Sequence, residues 1–195
     1  MCHSLLGNAS LYELQLRIDL DFMEEARAGG CPIDGGRLHT ANYQRKPRGA
    51  LCKLGRRDRT RLSLCCANRD CRSRVTPPSV RFIGRRVYLG AAVVLLSTMR
   101  HGVTERRLAQ LHELYGVSPR TVQRWRLWWR EIFPQTTCWR WVRGQVSGPV
   151  METPQPDSLL ELFVGDELSQ LLNALRLLSP LSTASWGKAG FFMGD

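Results

Sequence analysis

Five side chains between residues 31 and 71 are of the types that bind transition metals: Cys31, Asp34, His39, Cys66 and Cys71. Cys31 opens the sequence CPIDGG, and Cys66-x4-Cys71 follows later in the chain. Two separated turns that each supply ligands are how structural zinc holds a segment with little hydrophobic core. The spacing therefore predicts one structural Zn²⁺ site. A catalytic zinc would need an open position beside an acid or base, and no such partner is evident.

The exact ligand set stays open at the level of the sequence. A zinc knuckle usually has Cys where this chain has Asp34. Asp34 could bind through oxygen, His39 could supply a nitrogen from the following strand, or the site could be degraded and empty. Cys65 and Cys66 compete for one position, and the alternation of side chains along a strand favours Cys66. The remaining cysteines are interpreted as bystanders: Cys2, Cys52 and Cys138.

A second group of polar side chains lies in GVSPRTVQRW, residues 116–125. Gly116 allows the left-handed residue that ends a helix, Ser118 is a good N-cap, and Pro119 suits the first helical position. In the predicted helix 118–132, the buried stripe contains Val122, Trp125 and Trp129, and the opposite face carries Arg120, Thr121, Gln123 and Arg124. Such side chains can bind base edges in the major groove when the helix is the second of a helix-turn-helix.

Hydrophobic periodicity predicts the elements that position these residues. One helix is expected over 11–28, one from Arg85 or Arg86 to Gly102, and one over 104–115, capped by Thr104. Residues 158–180 predict one or two amphipathic helices, interrupted near Gly165. Residues 37–43 and 61–66 are expected to be the strands between the two metal-binding turns. The stretch 51–61 is interpreted as an exposed loop within the ribbon.

The resulting fold class is mainly α with a small β zinc ribbon, a trihelical helix-turn-helix core and extra N- and C-terminal helices. The predicted division is an N-terminal helix (1–30), a basic zinc-ribbon-like segment (31–79), a trihelical domain (80–134), a Gly/Pro-rich linker (135–157) and a C-terminal helical tail (158–195). A helical unit of this kind binds DNA in homeodomains and repressors.

Charge is concentrated in the middle of the chain. The 195 residues have a net charge of +11, and residues 45–86 hold fourteen Lys or Arg against Asp58 and Asp70. The first 30 residues and the last 46 are both mildly acidic. A clustered basic segment is typical of proteins that bind nucleic acid. Arg45, Lys46 and Arg48, in the loop NYQRKPRG, are expected to contact phosphates.

The N-terminus lacks the basic start followed by an apolar run that is typical of a signal peptide, so none is expected. The longest apolar run, from Val87 to Met99, is short for a membrane span and typical of a buried helix. Seven Cys without a secretory signal favour a metal site or free thiols over disulfides. The expected location is the cytoplasm, without a membrane partner.

Several motifs occur in a familiar order: CPxxGG, RLSLCC with Cys71, TPPS, and GVSPRTVQRW. Together they resemble the N-terminal region of bacterial insertion-sequence transposases, a zinc ribbon followed by a helix-turn-helix. RKPRG and TPPSVRFIGRRVYLG also resemble short bacterial proteins of unassigned function with the same order of parts. Asp34 departs from the ribbon pattern. His112 departs from the helix-turn-helix pattern, which usually has a small residue at that position. A bulky side chain there could open the angle between the two helices.

In such transposases these parts bind terminal DNA repeats, and a later domain of RNase H type with three metal-binding acids cleaves the strand. About 60 residues follow residue 134 here, fewer than the roughly 100 of an average domain. Their acids lie close together in the sequence, whereas a two-metal site needs carboxylates from distant segments. The expectation is a duplex-DNA-binding protein that is not an enzyme. Two alternatives remain: an RNA-binding zinc ribbon, and an assembly protein that forms a homodimer through the leucine-rich helix at 158–178.

Overall fold

The computed structural model describes residues 2–83, 88–97, 105–145 and 156–183. These residues are mainly helical with a small antiparallel sheet, which confirms the coarse fold class. The helices are α1 (Cys2–Leu6), α2 (Ala9–Ala28), α3 (Gly90–Ser97), α4 (Glu105–Tyr115), α5 (Pro119–Leu127), α6 (Thr137–Gln145), α7 (Pro156–Glu161) and α8 (Glu167–Leu178). A short π-helix (Trp128–Ile132) and a 3₁₀ helix (Phe133–Gln135) join α5 to α6, and a second 3₁₀ helix (Ser179–Ser182) follows α8.

Five short strands lie between α2 and α3: β1 (Leu38–Thr40), β2 (Tyr43–Gln44), β3 (Thr60–Arg61), β4 (Leu64–Cys66) and β5 (Arg74–Val75). Strands β1, β4 and β5 form an antiparallel sheet in the order β1-β4-β5, and β2 pairs with β3. Each strand that the sequence predicted is thus divided into two short ones. The register places Leu38 opposite Cys66, and both side chains are buried.

The buried apolar side chains form two clusters. The larger one contains residues from each of the eight helices, with α3 buried on nearly every side. The smaller one surrounds the sheet and contains Met23 of α2 together with Cys31, Leu38, Leu62, Leu64 and Cys66. Helix α2 therefore contributes to both clusters. None of the helices among the described residues has the length and apolar character needed to cross a bilayer.

The N-terminal and C-terminal helices agree with the sequence prediction. Helix α2 begins two residues earlier than expected because the Asn8 side chain accepts a hydrogen bond from the Ser10 N–H at 2.9 Å. Helices α7 and α8 are separated at Gly165, where φ is +127°. The four buried residues of α8, Leu171, Ala174, Leu175 and Leu178, pack in the larger cluster of the same chain.

Part of the predicted linker 135–157 is helical, which corrects that prediction. Helix α6 begins where the Thr136 hydroxyl accepts a hydrogen bond from the Trp139 N–H at 3.0 Å. Cys138, Trp139 and Val142 are buried, and the Trp139 and Phe133 rings lie 5.3 Å apart. Packing of an apolar stripe thus decides the structure of this stretch. The Gly/Pro-rich residues 146–155 lie outside the described part of the chain, as do 84–87 and 98–104, including the predicted cap Thr104.

A fully buried ion pair joins α2 to the segment before α3. Arg81 Nε lies 2.8 Å from Asp19 Oδ2, and both side chains are completely inaccessible to solvent. The same carboxylate accepts hydrogen bonds from Ser79 Oγ at 2.6 Å and from the Val80 N–H at 2.7 Å. Both oxygens of Asp19 are therefore satisfied without water, as a buried charge requires.

The other end of Arg81 binds the arginine-rich loop. Its terminal nitrogens donate to the backbone oxygens of Arg57, Asp58 and Thr60 at 3.0–3.1 Å. Arg61 is also buried and donates to Pro77 O at 2.6 Å, and burial lowers the pKa of Arg61 to about 10. The stretch 51–61, expected to be an exposed loop, is thus anchored through its backbone, while its arginine side chains at 56, 57 and 59 remain exposed.

Gly49 lets this loop lie directly on α3. Its φ is +95°, and a Cβ at this position would lie 2.5 Å from the Ala92 Cβ. We expect Gly49→Ala to destabilise the protein by at least about 1 kcal/mol, because the strain of a positive φ adds to the clash. Gly144→Ala is the matched control, since a Cβ there meets no atom within 4 Å inside α6. That variant should be neutral or slightly stabilising. Thermal unfolding of both variants tests the difference, and equal stability would contradict it.

Candidate metal centre and basic surface

Four side chains from the turn after α2, from the end of the central strand β4 and from the turn that follows it converge: Cys31, Asp34, Cys66 and Cys71. One ligand atom of each lies within 4.8 Å of all the others, so the cluster could bind a metal ion. The Cys31 and Cys71 sulfurs are 3.7 Å apart. The Cys66 sulfur lies 3.3 and 3.5 Å from the two Asp34 oxygens. The prediction that these four residues come together in a group that could bind a metal ion is confirmed.

Backbone hydrogen bonds shape the first turn of the cluster. Gly36 O accepts from the Cys31 N–H at 2.9 Å, and Cys31 O accepts from the Gly35 N–H at 2.8 Å. Gly35 has a φ of +68°. A Cβ on Gly36 would lie 3.0 Å from Asp34 Oδ1 and 3.1 Å from the Cys66 sulfur. The glycines of CPIDGG therefore permit both the turn and the close approach of its ligands.

The second turn is shaped by Asn68, which sequence reasoning missed. Asn68 Oδ1 accepts from the Asp70 N–H at 3.2 Å, while Asn68 O accepts from the Arg72 N–H at 3.0 Å. The Asn68 side-chain amide donates to Asp34 Oδ2 at 3.0 Å, and the Gly36 N–H donates to Asp34 Oδ1 at 3.0 Å. The carboxylate orientation is thus fixed from both sides, as outer-shell partners fix metal ligands. The Asn-x-Asp sequence, a turn signal, could have indicated this role.

Ser73 is a second residue that contacts the cluster and that the sequence analysis did not identify. Its Oγ lies 3.1 Å from both the Cys31 and the Cys71 sulfurs. The hydrogen bond from Ser73 is the main reason that the pKa of Cys31 is lowered. The pKa of Asp34 is also lowered, first by a hydrogen bond with Cys31 and then by the Gly36 N–H. Burial raises the pKa of Cys66 to about 12.

His39 lies outside the cluster, which decides between two of the predicted ligands in favour of Asp34. His39 is exposed on β1 and pairs in register with Cys65. Side chains alternate along a strand, so this pair faces away from Cys66. Cys65 instead lies 3.4 Å from Arg72 O. The cluster thus contains Cys66 and not Cys65, as predicted. The six cysteines whose side chains the structure describes are free thiols.

Helices α4 and α5 are joined by the short turn that GVSP predicted. Gly116 has a φ of +63°, and the Ser118 hydroxyl accepts a hydrogen bond from the Thr121 N–H at 3.3 Å. Val122, Trp125 and Trp129 are buried, as expected. The side chain of His112 is exposed, so it does not separate the helices.

The outer face of α5 carries three of the four predicted DNA-binding side chains. Arg120, Gln123 and Arg124 are exposed, and none of them bonds to another described side chain. The prediction that Thr121 lies on this outer face is wrong, because Thr121 is only 6 % exposed and its hydroxyl lies 3.0 Å from the Ser118 hydroxyl. Its role is to support the cap at the start of the helix rather than to face solvent.

The predicted phosphate-binding loop is close to α3 and α5. Lys46 and Arg48 are exposed, whereas Arg45 is half-buried with its guanidinium 5.4 Å from the centre of the Phe82 ring. Arg48 O accepts a hydrogen bond from the Leu89 N–H at 3.0 Å. Tyr88 directly precedes Leu89, and its ring packs edge-on against the ring of Trp125 in α5, with 5.0 Å between the ring centres.

No protein-family model, curated protein or solved structure matches this chain. Its function is therefore inferred from the chemistry and arrangement of its own residues. Two arrangements offer such chemistry: the cluster of three thiols and a carboxylate, and the exposed basic side chains of the loop at 45–59 and of the outer face of α5.

Proposed function

We propose that the chain is a DNA-binding protein in which α4 and α5 act as a helix-turn-helix. The observation that carries this proposal is the division of α5 into two faces. Its inner face is anchored in the core through Val122 and Trp125, and its outer face presents Arg120, Gln123 and Arg124 without partners in the described part of the chain. Arg can pair with guanine and Gln with adenine in the major groove. A recognition helix uses residues near its N-terminus in this way.

We also propose that the metal is one structural zinc ion. With Zn–S bonds of about 2.3 Å and Zn–O bonds of about 2.0 Å, a tetrahedral site has S–S edges of about 3.8 Å and S–O edges of about 3.5 Å. The distances of 3.7 Å between Cys31 and Cys71, and 3.3–3.5 Å between Cys66 and Asp34, fit those edges. Thiolate-rich sets favour zinc over magnesium or calcium, which prefer oxygen ligands.

The zinc would hold the two turns together and so position the arginine-rich loop between β2 and β3. Its arginines would contact phosphates, while α5 would read bases. The motif order supports a relation to the DNA-binding region of insertion-sequence transposases, without strand cleavage by this chain. The assembly alternative is weakened because the buried leucines of α8 already pack within the chain itself.

Arg124→Ala tests base readout. After selection of a preferred duplex from random sequences, we expect this variant to bind it about 1–3 kcal/mol more weakly, with little change on a scrambled duplex. Arg126→Ala is the matched control, since Arg126 is also exposed on α5 but lies two positions further on, away from the face of Arg124. Binding titrations measure both. Equal losses on both duplexes would refute base readout by Arg124, and preference for RNA over every duplex would favour the RNA-binding alternative.

A further inference from the structure

A cavity opens between the arginine-rich loop and the C-terminal end of α4. It has a volume of about 280 Å³ and is bounded by the loop from Pro47 to Leu54, by Arg59 and by Tyr115. Ala50, Cys52 and Leu54 are half-buried, whereas Arg48 and Arg59 are exposed. The cavity, here called the basic notch, thus combines a partly apolar lining with two cationic side chains.

The two arginines of the basic notch have no counter-ion among the residues that the structure describes. Neither Arg48 nor Arg59 forms an ion pair among the described residues. Asp58 is the single acid between residues 45 and 59, and its carboxylate accepts a hydrogen bond from the Gly55 N–H at 2.9 Å. Arg59 Nε donates to Gly55 O at 3.4 Å, which leaves its terminal nitrogens available. Two arginine residues that line one concave surface are suited to an oxyanion, since guanidinium groups can bind oxyanions in a bidentate manner.

Contacts across the chain fix the basic notch beside the turn between α4 and α5. Arg48 forms a parallel bridge with Tyr88, whose hydroxyl donates to Gly116 O at 3.3 Å. Tyr115, at the end of α4, forms one wall of the notch. In helix-turn-helix complexes the first helix crosses the DNA backbone while the second lies in the groove. A phosphate held at this position would therefore lie next to the bases that α5 contacts.

We propose that the basic notch binds a phosphate group and that, in the complex with DNA, this group is a backbone phosphodiester flanking the bases read by α5. The identity of that source rests on the DNA-binding function proposed above. The volume of the basic notch lies just below the range of roughly 300–1,000 Å³ for pockets that hold drug-sized ligands. A cavity of this size suits a phosphate group together with its sugar. A free phosphorylated molecule would present the same group, so the experiment must separate the two sources.

The experiment measures how duplex binding by Arg48→Gln and Arg59→Gln depends on salt. The slope of log K against log salt is negative, and each phosphate contact that is lost should reduce its magnitude by about 0.9. The affinity should fall by the same factor for the selected and the scrambled duplex. Arg17→Gln is the control, because Arg17 is exposed on α2, in an acidic part of the chain, and should leave the slope unchanged. Circular dichroism confirms that each variant is folded.

The outcomes separate this proposal from the proposed function. If the wild type binds duplexes and both variants keep its slope, the basic notch does not bind a phosphate and the helix-turn-helix proposal stands. If the wild type binds no duplex, that function fails, and thermal unfolding with inorganic phosphate and with a 5′-mononucleotide then decides. Stabilisation of the wild type but not of Arg48→Gln would assign the notch to a free phosphate compound. No stabilisation would overturn the proposal.

Discussion

Replacing Asp19 by Asn should destabilise the protein by about 3–5 kcal/mol, the usual cost of removing one partner of a buried ion pair. Asn has nearly the same shape, so the loss comes from charge. Arg81 would stay buried without a counter-charge, and the Ser79 hydroxyl and Val80 N–H would lose an ionic acceptor. A chain of this size loses about 2–4 °C of melting temperature per kcal/mol. The expected fall is therefore roughly 6–20 °C, measured by thermal or urea unfolding.

The same helix provides the control. Glu24 and Arg27 form an ion pair at 3.1 Å on the exposed side of α2. Exposed pairs contribute little because water and salt screen them, so Glu24→Gln should leave the melting temperature unchanged within error. An equal effect of Glu24→Gln and Asp19→Asn would show that the buried position of Asp19 has no energetic consequence. The double variant Asp19→Leu/Arg81→Met should remain destabilised, since three backbone oxygens would lose the Arg81 donors.

The sequence predicted those parts of the structure that depend on neighbouring residues. Ser118 and Pro119 mark the start of α5, Gly116 marks the turn, and the spacing of Val122, Trp125 and Trp129 gives the buried face. The thiols of the candidate metal cluster were predicted for a similar reason, because the spacing of the cysteines within two short segments is a local signal. The choice of Asp34 over His39 needed the structure. It depends on the path of the backbone after Gly36, which directs His39 to the other face of the sheet.

The tertiary connections could not be predicted in this way. Asp19 and Arg81 are far apart in the sequence, and each looks like an ordinary surface charge within its own segment. Thr121 occupies an N-terminal helix position that suits both DNA contact and capping, and only its burial decides between them. The segment 137–145 was predicted to belong to a linker, although Cys138, Trp139 and Val142 pack in the core as part of α6.

Removing the Cys66 thiol should abolish metal binding. Cys66→Ser replaces a buried sulfur ligand by a poorer oxygen donor, and we expect a loss of affinity beyond the roughly 10–100-fold that outer-shell substitutions cause. Cys65→Ser is the matched control, because its side chain faces away from the cluster on the same strand. The purified wild type and Cys65→Ser should contain one metal ion per chain and Cys66→Ser none, as measured by elemental analysis. Retention of the metal by Cys66→Ser, or its loss from both variants, would contradict the assigned ligand set.

Loss of the metal should loosen the sheet and leave the helices folded. The apolar cluster around the sheet contains only six buried residues, and two of them, Cys31 and Cys66, are proposed ligands. So small a cluster gives little stability of its own, which is also the case in small zinc domains. The larger cluster involves no ligand. Treating the wild type with a chelator should therefore speed amide exchange in β1, β4 and β5 while α3, α5 and α8 keep their protection.

Because the buried Asp19–Arg81 pair binds the loop independently of the metal, Asp19→Asn combined with chelation should extend this loosening to residues 57–61. Uniform loss of protection across sheet and helices after chelation alone would show instead that the metal stabilises the whole chain.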